Sequence, residues 1–412
     1  MNASPAAADG QDRISGLLAE ARRLLPGVIA VRRAIHRVPE LDLHLPRTQQ
    51  AVLRALDGLG LSVSTGERLS SVVATLEGAR PGRTVLLRAD MDALPQHEET
   101  GLDFASEVPG AMHACGHDAH VAMLIGAARL LAARRAQLAG RVVFMFQPAE
   151  ESGGGAQHMI DEGVLGTPDG RGVDAAFALH ITTRFETGTV HLRPGPMFAA
   201  SDLMHLTVRG RSGHASAPQR ALDPVPVACE IVQALQTMVT RTVSVFDPAV
   251  VTVAAIRAGT TTNIIPDTAE IHGTFRTLSP ATRQVVRDGI ARVAHHVAAA
   301  HGVTVDVDLT ESYPPVVNDT AFAGLVHDTA VTVLGPARVQ RLPEPSMGAE
   351  DFSYVLRRVR GAMAFLGARP DGAPAEGAPD CHSSRVVFDE DALATGTALH
   401  AAVAVRHLMT CP

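Results

Sequence analysis

Short apolar runs of strand length, separated by stretches with helical periodicity, constrain the fold of this chain more than any other feature. The runs "VLL" within 83–90 and "VVFMF" within 141–147 are continuous, which is typical of strands buried on both faces. The pattern predicts further strands at 172–180 and 361–368, and helices at 14–35, 46–59 and 120–135. Strands that alternate with helices predict an α/β fold with a mostly parallel central sheet.

The middle of the chain has a different pattern. The segment "DLMHLTVRGR" (202–211) alternates apolar and polar residues, as a half-exposed strand does. After it, the pattern predicts a helix at 224–240, strands near 249–257 and 268–277, a helix at 280–300 and a strand at 303–309. This β-α-β-β-α-β order predicts a small α+β unit of the ferredoxin-like type, inserted at 199–309. The remaining segments, 1–198 and 310–412, would then form one discontinuous domain.

Polar residues with ligand chemistry follow several predicted strands of the larger domain. In chain order they are Asp90, Glu150, Glu151, His180 and His382. In open α/β sheets, ligands bind beyond the carboxyl ends of the parallel strands. We therefore expect these side chains to converge at one edge of the sheet.

The segment "MHACGHDAH" (112–120) leads into a predicted helix and can reach the same edge. Together with the residues above it completes a set of five candidate ligands, which are Cys115, His117, Glu151, His180 and His382. Cysteine, histidine and glutamate in one site suit Zn²⁺, Co²⁺, Ni²⁺ or Mn²⁺. A single tetrahedral ion would be filled by four ligands, whereas two ions can use five and still activate a water. Glu150 is then available as a general base.

Each of these residues also has an ordinary structural explanation. A lone histidine at a strand end usually makes a structural hydrogen bond, and a lone cysteine such as Cys115 is usually a small core residue. The Glu150–Glu151 pair could open a solvated helix, and His214 in "SGHASAP" could be a loop residue. Their expected convergence at one sheet edge favours a functional site over these separate explanations.

Composition excludes several other classes of function. The 412 residues carry a formal net charge of −7, so no basic field would attract nucleic acid or a membrane surface. The sequence lacks an apolar window of about 18 residues, and the first 25 residues lack the pattern of a signal peptide. The four cysteines show no paired spacing. These features predict a cytoplasmic enzyme with reduced thiols.

Seven segments spread from about residue 36 to residue 393 resemble those of a known family. They are "RADMDALP" (88–95), "MHACGHDAH" (112–120), "QPAEE" (147–151), "GHASAP" (213–218), "TNIIP" (262–266), "MGAEDF" (347–352) and "CHSSRVVFDEDAL" (381–393). The family is the M20 metallopeptidases and amidohydrolases, and the best match is its N-acyl-amino-acid amidohydrolase subgroup. That subgroup includes hippurate hydrolases and the plant indole-acetyl-amino-acid hydrolases.

The resemblance implies an architecture and a chemistry. It implies a catalytic domain of the phosphorylase/hydrolase-like α/β type and a lid domain that often dimerises, so that a homodimer is expected. It further implies two divalent transition-metal ions per subunit and cleavage of the amide bond of an N-acyl-L-amino acid. The products would be a carboxylic acid and a free amino acid.

The resemblance also assigns roles to residues. It implies that Cys115, His117, Glu151, His180 and His382 are metal ligands. It implies that Glu150 is the catalytic base, that Asp90 supports the centre as a carboxylate behind the ligands, and that His214 holds the scissile carbonyl oxygen. Asn263 and Arg276 correspond to substrate contacts from the lid.

Some positions depart from the wider family pattern, and some alternatives stay open. Other branches carry a ligand histidine in an H-x-D triplet where this chain has Arg88 and Asp90. The segment "ITTR" after His180 replaces an apolar-Pro segment, and Cys381 beside His382 has no assigned role. A dipeptidase or carboxypeptidase of the same family is an alternative, as is a metal-binding homologue without turnover.

Overall fold

The computed structural model describes residues 14–167 and 169–409. They form two compact units. The first unit contains the described residues up to Met197, Val317–Glu344 and the described residues from Asp351 onward. The second contains Phe198–Val316 and Pro345–Glu350, so it extends past the predicted 199–309 insertion. Most of the N-terminal segment that lacks a signal-peptide pattern, and Cys411, lie outside the described residues.

The helices and strands have the following bounds. The helices are α1 (Leu17–His36), α2 (Pro46–Leu56), α3 (His117–Ala132), α4 (Gly155–Asp161), α5 (Pro224–Thr242), α6 (Pro280–Ala300), α7 (Thr320–Leu334), α8 (Ser353–Leu356) and α9 (Ala392–Met409). The first strands are β1 (Ser62–Thr65), β2 (Val72–Glu77), β3 (Arg80–Asp90), β4 (Ala139–Gln147), β5 (Ala175–Glu186), β6 (Val190–Leu192), β7 (Gly195–Phe198) and β8 (Ala200–Arg209). The later strands are β9 (Gly213–His214), β10 (Ala249–Ala258), β11 (Ile264–Ile265), β12 (Thr268–Thr277), β13 (Thr304–Glu311), β14 (Val316–Asn318), β15 (Val339–Arg341) and β16 (Gly361–Arg369).

The first unit is built on an eight-stranded sheet in the order β1-β2-β4-β3-β5-β16-β6-β15. Its centre, β4-β3-β5-β16, is parallel. Leu87 of β3 stands between Phe144 of β4 and Phe177 of β5, and all three are fully buried. The continuous apolar runs therefore form the middle of the sheet, and the predicted α/β fold with a mostly parallel sheet is confirmed.

Three helices close the core of the first unit. α1 and α3 pack against each other, and α9 packs on both of them and on the central strands. α9 is buried along nearly its whole length. Where α1 meets α3, the buried Arg32 guanidinium donates a hydrogen bond of 3.0 Å to Asp118. Asp118 also lies 2.8 Å from Nδ1 of His36, so a charged cluster joins the two helices inside an apolar core.

The second unit has a four-stranded antiparallel sheet in the order β10-β12-β8-β13. Helices α5 and α6 both begin with a capping side chain followed by proline, Asp223-Pro224 and Ser279-Pro280. The helices pack on one face of the sheet, where Leu206 and other alternate residues of the strands are buried. The connectivity is the β-α-β-β-α-β order expected from the sequence. None of the helices in the described parts of either unit is long and apolar enough to cross a membrane.

Candidate metal centre

The residues predicted in the larger domain meet at the carboxyl ends of the central strands. β3 ends at Asp90 and β4 at Gln147, which are paired with each other, and Glu150 and Glu151 follow three and four residues after Gln147. The sequence pattern predicts that the next strand ends at His180, but β5 continues to Glu186. The reason is that β16 pairs with β5 beyond the end of its pairing with β3, with Phe365 opposite His180.

Two of the groups of potential ligand atoms at this edge contain Glu151. In one, single atoms of Cys115, Glu151 and His382 all lie within 4.8 Å of one another; in the other, atoms of His117, Glu150 and Glu151 do so. Glu151 belongs to both groups. His180 adjoins the first group, because its Nε2 is 3.5 Å from the Cys115 sulfur. All five predicted ligands are thus brought together within the first unit.

The distances fit a tetrahedral transition-metal ion. With ordinary zinc bond lengths, a sulfur and a nitrogen ligand lie about 3.6 Å apart, and two nitrogen or oxygen ligands about 3.3 Å apart. The structure gives 3.5 Å between Cys115 Sγ and His180 Nε2, and 3.0 Å between Glu151 Oε1 and His382 Nε2. The protein therefore holds these pairs near metal-binding separations.

Buried polar atoms that lack a well-formed hydrogen bond in the described part of the chain support the same conclusion. Both ring nitrogens of His117 and Oε1 of Glu151 are buried and make no hydrogen bond of acceptable geometry within the described residues. An unsatisfied buried polar group costs free energy, about 1–3 kcal/mol. A cation coordinated by these atoms would remove that cost, so the donor set fits divalent transition metals.

His180 and His120 show how hydrogen bonds select ligand atoms. Nδ1 of His180 donates to the carbonyl oxygen of Ile181 at 2.7 Å, which leaves the Nε2 lone pair directed toward Cys115. In His120, Nδ1 donates to Asp90 at 2.5 Å and Nε2 accepts from the Ile181 N–H at 2.8 Å. Both nitrogens of His120 are therefore occupied by hydrogen bonds, which is why we do not expect it to be a ligand although its atoms lie close to those of Asp90 and His117.

The backbone around the ligands is constrained. Gly116, between Cys115 and His117, has a φ of +79° and caps α3. A Cβ there would lie 2.4 Å from a methyl carbon of Ile181, so only glycine fits. His382 itself has a φ of +69°, and its N–H donates to the Ala114 carbonyl at 2.9 Å. That hydrogen bond ties the last ligand loop to the segment that contains Cys115.

Asp92 is a residue of the centre that the sequence motifs did not single out. Its two carboxylate oxygens accept the N–H groups of Glu150 and Glu151, each at 3.0 Å, and one of them lies 3.3 Å from Nδ1 of His117. Asp92 thus fixes the turn that presents both glutamates. The sequence feature that identifies Asp92 is its position two residues after Asp90, since residues two apart in an extended segment lie on the same side.

Asp90 and Arg88 belong to a buried network behind the ligands. Arg88 donates hydrogen bonds to Asp90 at 2.6 Å, to Gln147 at 2.8 Å and to Asp351 at 2.9 Å. Burial raises the pKa of Asp90, but the positive charges of Arg88, His117 and His120 outweigh it and hold the pKa well below its usual range. Asp90 is therefore a fixed negative charge close to the ligands.

Glu150 lies deeper than Glu151 and has a different setting. It is 6 % exposed, and its Oε1 accepts the Asp351 N–H at 3.4 Å. Because Asp351 is itself held by Arg88 and Gln147, the position of Glu150 depends on the same network.

The electrostatic field of the centre favours cations. Burial lowers the pKa of His117, but the carboxylates of Asp90, Asp92 and Glu151 outweigh it and raise the pKa to about 10. A hydrogen bond with the Cys381 thiol, together with burial and Glu151, raises the pKa of Cys115. Cys381 in turn contacts the Ile181 carbonyl at 3.5 Å, so this residue packs against the predicted ligand Cys115.

The remaining predicted residues lie in the second unit. His214 on β9 pairs with Ile264 on β11, and the Asn263 carbonyl accepts the Ala215 N–H at 3.1 Å, so His214 and Asn263 are neighbours. Nδ1 of His214 accepts the Ser216 N–H at 3.1 Å, which leaves its Nε2–H as a donor. Arg276 is not brought beside them: it lies near the far end of β12, about 26 Å along the strand from Thr268.

Comparison with known proteins places the chain among related enzymes. Residues 86–406 match the model of Peptidase family M20/M25/M40. The chain is 38% identical to Thermostable carboxypeptidase 1 of Saccharolobus solfataricus over 96% of this chain and 99% of that one. It is 38% identical to N-acetyl-L-cysteine deacetylase of Bacillus subtilis, over 89% and 84% of the two chains. It is 36% identical to IAA-amino acid hydrolase ILR1-like 4 of Arabidopsis thaliana, over 95% and 88%.

A solved structure supports the same family assignment. The Bacillus subtilis YXEP protein, described as a dinuclear metal binding peptidase from the M20 family, superposes with a TM-score of 0.82. It is 33% identical, and the match covers 95% of this chain and all of that one. The resemblance recognised in the sequence motifs is confirmed. The chain belongs to Peptidase family M20/M25/M40, and it is a metal-dependent hydrolase.

Proposed function

We propose that this protein is a binuclear metal-dependent amidohydrolase that cleaves N-acyl-L-amino acids into a carboxylic acid and a free amino acid. The observation that carries the proposal is the pair of groups of potential ligand atoms that share Glu151, the second of which includes the buried Glu150. The relatives that are named as a deacetylase of N-acetyl-L-cysteine and as an IAA-amino acid hydrolase support this substrate class. The same proposal includes zinc or manganese as the ion, a cytoplasmic location and a homodimer formed through the second unit.

In this proposal, some residues hold the metal ions and another residue transfers the proton. When bound, the two ions lower the pKa of the attacking water and polarise the substrate carbonyl. Cys115, His117, Glu151, His180 and His382 would hold them. Glu150 takes the proton from the water and passes it to the leaving amine. Asp92 holds the backbone of Glu150 by accepting its N–H, and the Asp351 N–H donates to the Glu150 carboxylate.

The second unit supplies groups for the substrate in this proposal. His214 donates its Nε2–H to the negative charge that develops on the carbonyl oxygen, which is the role of an oxyanion donor. The neighbouring Asn263 and the more distant Arg276 bind the polar and carboxylate ends of the substrate. The positive charge of Arg276 suits the α-carboxylate that every N-acyl-amino acid carries.

A carboxypeptidase or dipeptidase activity is the second candidate, because a relative that spans the whole chain is named as a thermostable carboxypeptidase. Both activities cleave an amide next to a free carboxylate. They differ in whether the acyl side carries a free amino group, which would need an acidic partner. A metal-binding protein without turnover is disfavoured, since such a protein has no need for Glu150 in addition to Glu151.

The test is a substrate panel with matched pairs. The protein is stripped of metal, reloaded with Mn²⁺, Co²⁺ or Zn²⁺, and incubated with hippurate, N-acetyl-amino acids and the corresponding dipeptides with a free amino group. We expect release of free amino acid from the N-acyl compounds and a metal content of about two ions per subunit. The Glu150→Gln variant controls for contaminating hydrolases. Preferential hydrolysis of the free dipeptides would establish the second candidate, and no amine release from any N-acyl compound would refute the proposal.

A further inference from the structure

The sheet of the second unit carries a group of potential ligands that is separate from the centre described above. His205 of β8 stands directly opposite His272 of β12 in the antiparallel register. Glu270 lies two residues before His272 on the same strand, and therefore on the same face. The three residues form a compact set of two imidazoles and one carboxylate.

This set lies on the face of the sheet opposite helices α5 and α6. Met204 and Leu206, which flank His205 on β8, are buried in the apolar core with those helices. Because side chains alternate along a strand, His205 points to the other face. The same argument applies to Glu270 and His272, which flank the buried Ile271. Leu203, also on this open face, is 51% exposed.

The geometry is close to that of a coordination site. Single ligand atoms of His205, Glu270 and His272 all lie within 4.8 Å of one another. Nε2 of His272 is 3.1 Å from a carboxylate oxygen of Glu270, near the separation of about 3.3 Å between two ligands on one zinc ion. The two imidazole rings are stacked with centroids 4.3 Å apart, so at least one ring must rotate before both lone pairs point at a shared ion.

One imidazole nitrogen of this set is buried but makes no hydrogen bond to the described residues. Nε2 of His205 is buried and has no hydrogen-bond partner among the residues that the structure describes. On the strand β13, Asp308 stands opposite His205 on the side away from His272. A second carboxylate therefore lies in the same cross-strand row and adds negative charge near the imidazoles.

We infer that His205, His272 and Glu270 bind one divalent transition-metal ion on the open face of this sheet. Two neutral imidazoles and a carboxylate suit Zn²⁺, Co²⁺, Ni²⁺ or Cu²⁺, whereas Mg²⁺ and Ca²⁺ require more oxygen ligands. The strands fix the backbone, so only side-chain rotation is needed to bring the three ligand atoms to bonding distance. Water completes the coordination, which makes this ion exchangeable.

The experiment counts ions in matched variants of the full chain. Wild type, His205→Gln and His272→Gln are stripped of metal, dialysed against buffered micromolar Zn²⁺ and analysed by inductively coupled plasma mass spectrometry. Each variant is expected to hold about one ion per subunit fewer than wild type. The control is His295→Gln, which changes an exposed histidine on α6 and is expected to keep the wild-type count. Hydrolytic activity should be unchanged in all of these variants.

The comparison is independent of the proposed amidohydrolase activity, because it depends on a difference in ion count and not on turnover. Circular dichroism checks that each variant is folded, and Glu270→Gln replaces any variant that is not. In protein whose first centre is already filled with Zn²⁺, electron paramagnetic resonance of one added equivalent of Cu²⁺ should show coupling to two imidazole nitrogens, and His205→Gln should lose the coupling to one of them. Equal ion counts in wild type and folded variants, or binding only at millimolar Zn²⁺, would mean an adventitious ion only and would overturn the inference.

Discussion

Glu150 and Glu151 are adjacent in the chain but have different surroundings, and this difference predicts different effects of the same substitution. Glu150→Gln removes the proposed base without removing a ligand, so metal content should be unchanged and kcat should fall about a hundredfold or more. Glu151→Gln weakens a ligand that belongs to both groups and should lower metal occupancy. Metal analysis and steady-state kinetics on both variants separate the two roles.

The assignment fails if Glu150→Gln keeps near-normal turnover. It also fails if Glu150→Gln and Glu151→Gln lose metal to the same extent, because Glu150 would then act as a ligand.

At the level of the elements, the contact between α1 and α3 depends on a charge inside the core. Burial lowers the pKa of His36, but the carboxylates of Asp118 and Glu98 outweigh it and raise the pKa to about 9 from an ordinary 6.5. Because the pKa is raised by folding, the stabilisation is complete below about pH 6.5 and is lost as the pH rises through 9. A rise of this size corresponds to on the order of 3 kcal/mol.

The measurement compares wild type with His36→Gln by urea unfolding at pH 6 and pH 9.5. Wild type should be the more stable at pH 6, and most of the difference should disappear at pH 9.5. A difference that stays constant across this range would show that His36 is not charged in the folded protein.

Two glycines inside helices allow a matched test of how closely the helices pack. A Cβ on Gly126 of α3 would lie 2.8 Å from Thr397 of α9 and 3.0 Å from Val28 of α1. Gly126→Ala should therefore lower the free energy of unfolding by about 1–2 kcal/mol, since overpacking outweighs the gain in helix propensity. Gly324 of α7 has no atom within 4 Å of its Cβ position, so Gly324→Ala should raise that free energy by about 0.5–1 kcal/mol.

Thermal or urea unfolding of the two variants measures whether their free energies of unfolding change in opposite directions. If Gly126→Ala raises the free energy of unfolding as Gly324→Ala does, helix propensity and not the close approach of α1, α3 and α9 controls the outcome.

The same elements show what the sequence could and could not predict. The strands that hold the site were predicted because their apolar runs are continuous. No pattern in the sequence predicts α9, because a helix buried on all sides has no polar face and so no periodicity. The glutamate pair and the "MHACGHDAH" segment stand out by composition, whereas Asp92 is one aspartate among many. The contact of Arg88 with Asp351 joins residues 263 positions apart, which no local pattern reveals.

For the whole molecule, the proposal requires that a residue of the second unit takes part in chemistry at ligands of the first. His214→Ala should lower kcat by about 10²–10³, the usual contribution of an oxyanion donor, and leave metal content intact. If His214 acts on a partner subunit, mixing inactive His214→Ala with inactive Glu150→Gln protein should restore part of the activity. Kinetics of the separate and mixed variants test this.

An absence of rescue would mean that each subunit uses its own His214. Unchanged kcat in His214→Ala would remove the residue from the proposed mechanism.

The burial of α9 has a consequence for how the protein is made. α9 packs on α1 and α3 and on the central strands, and every other described element of the first unit precedes it in the chain. During synthesis, the apolar surfaces of α1, α3 and the central strands that α9 covers remain exposed until α9 leaves the ribosome. The second unit, Phe198–Val316 with the short Pro345–Glu350 segment, is complete well before that point. We therefore expect the inserted unit to fold first, while the unit that begins the chain depends on chaperones until α9 arrives.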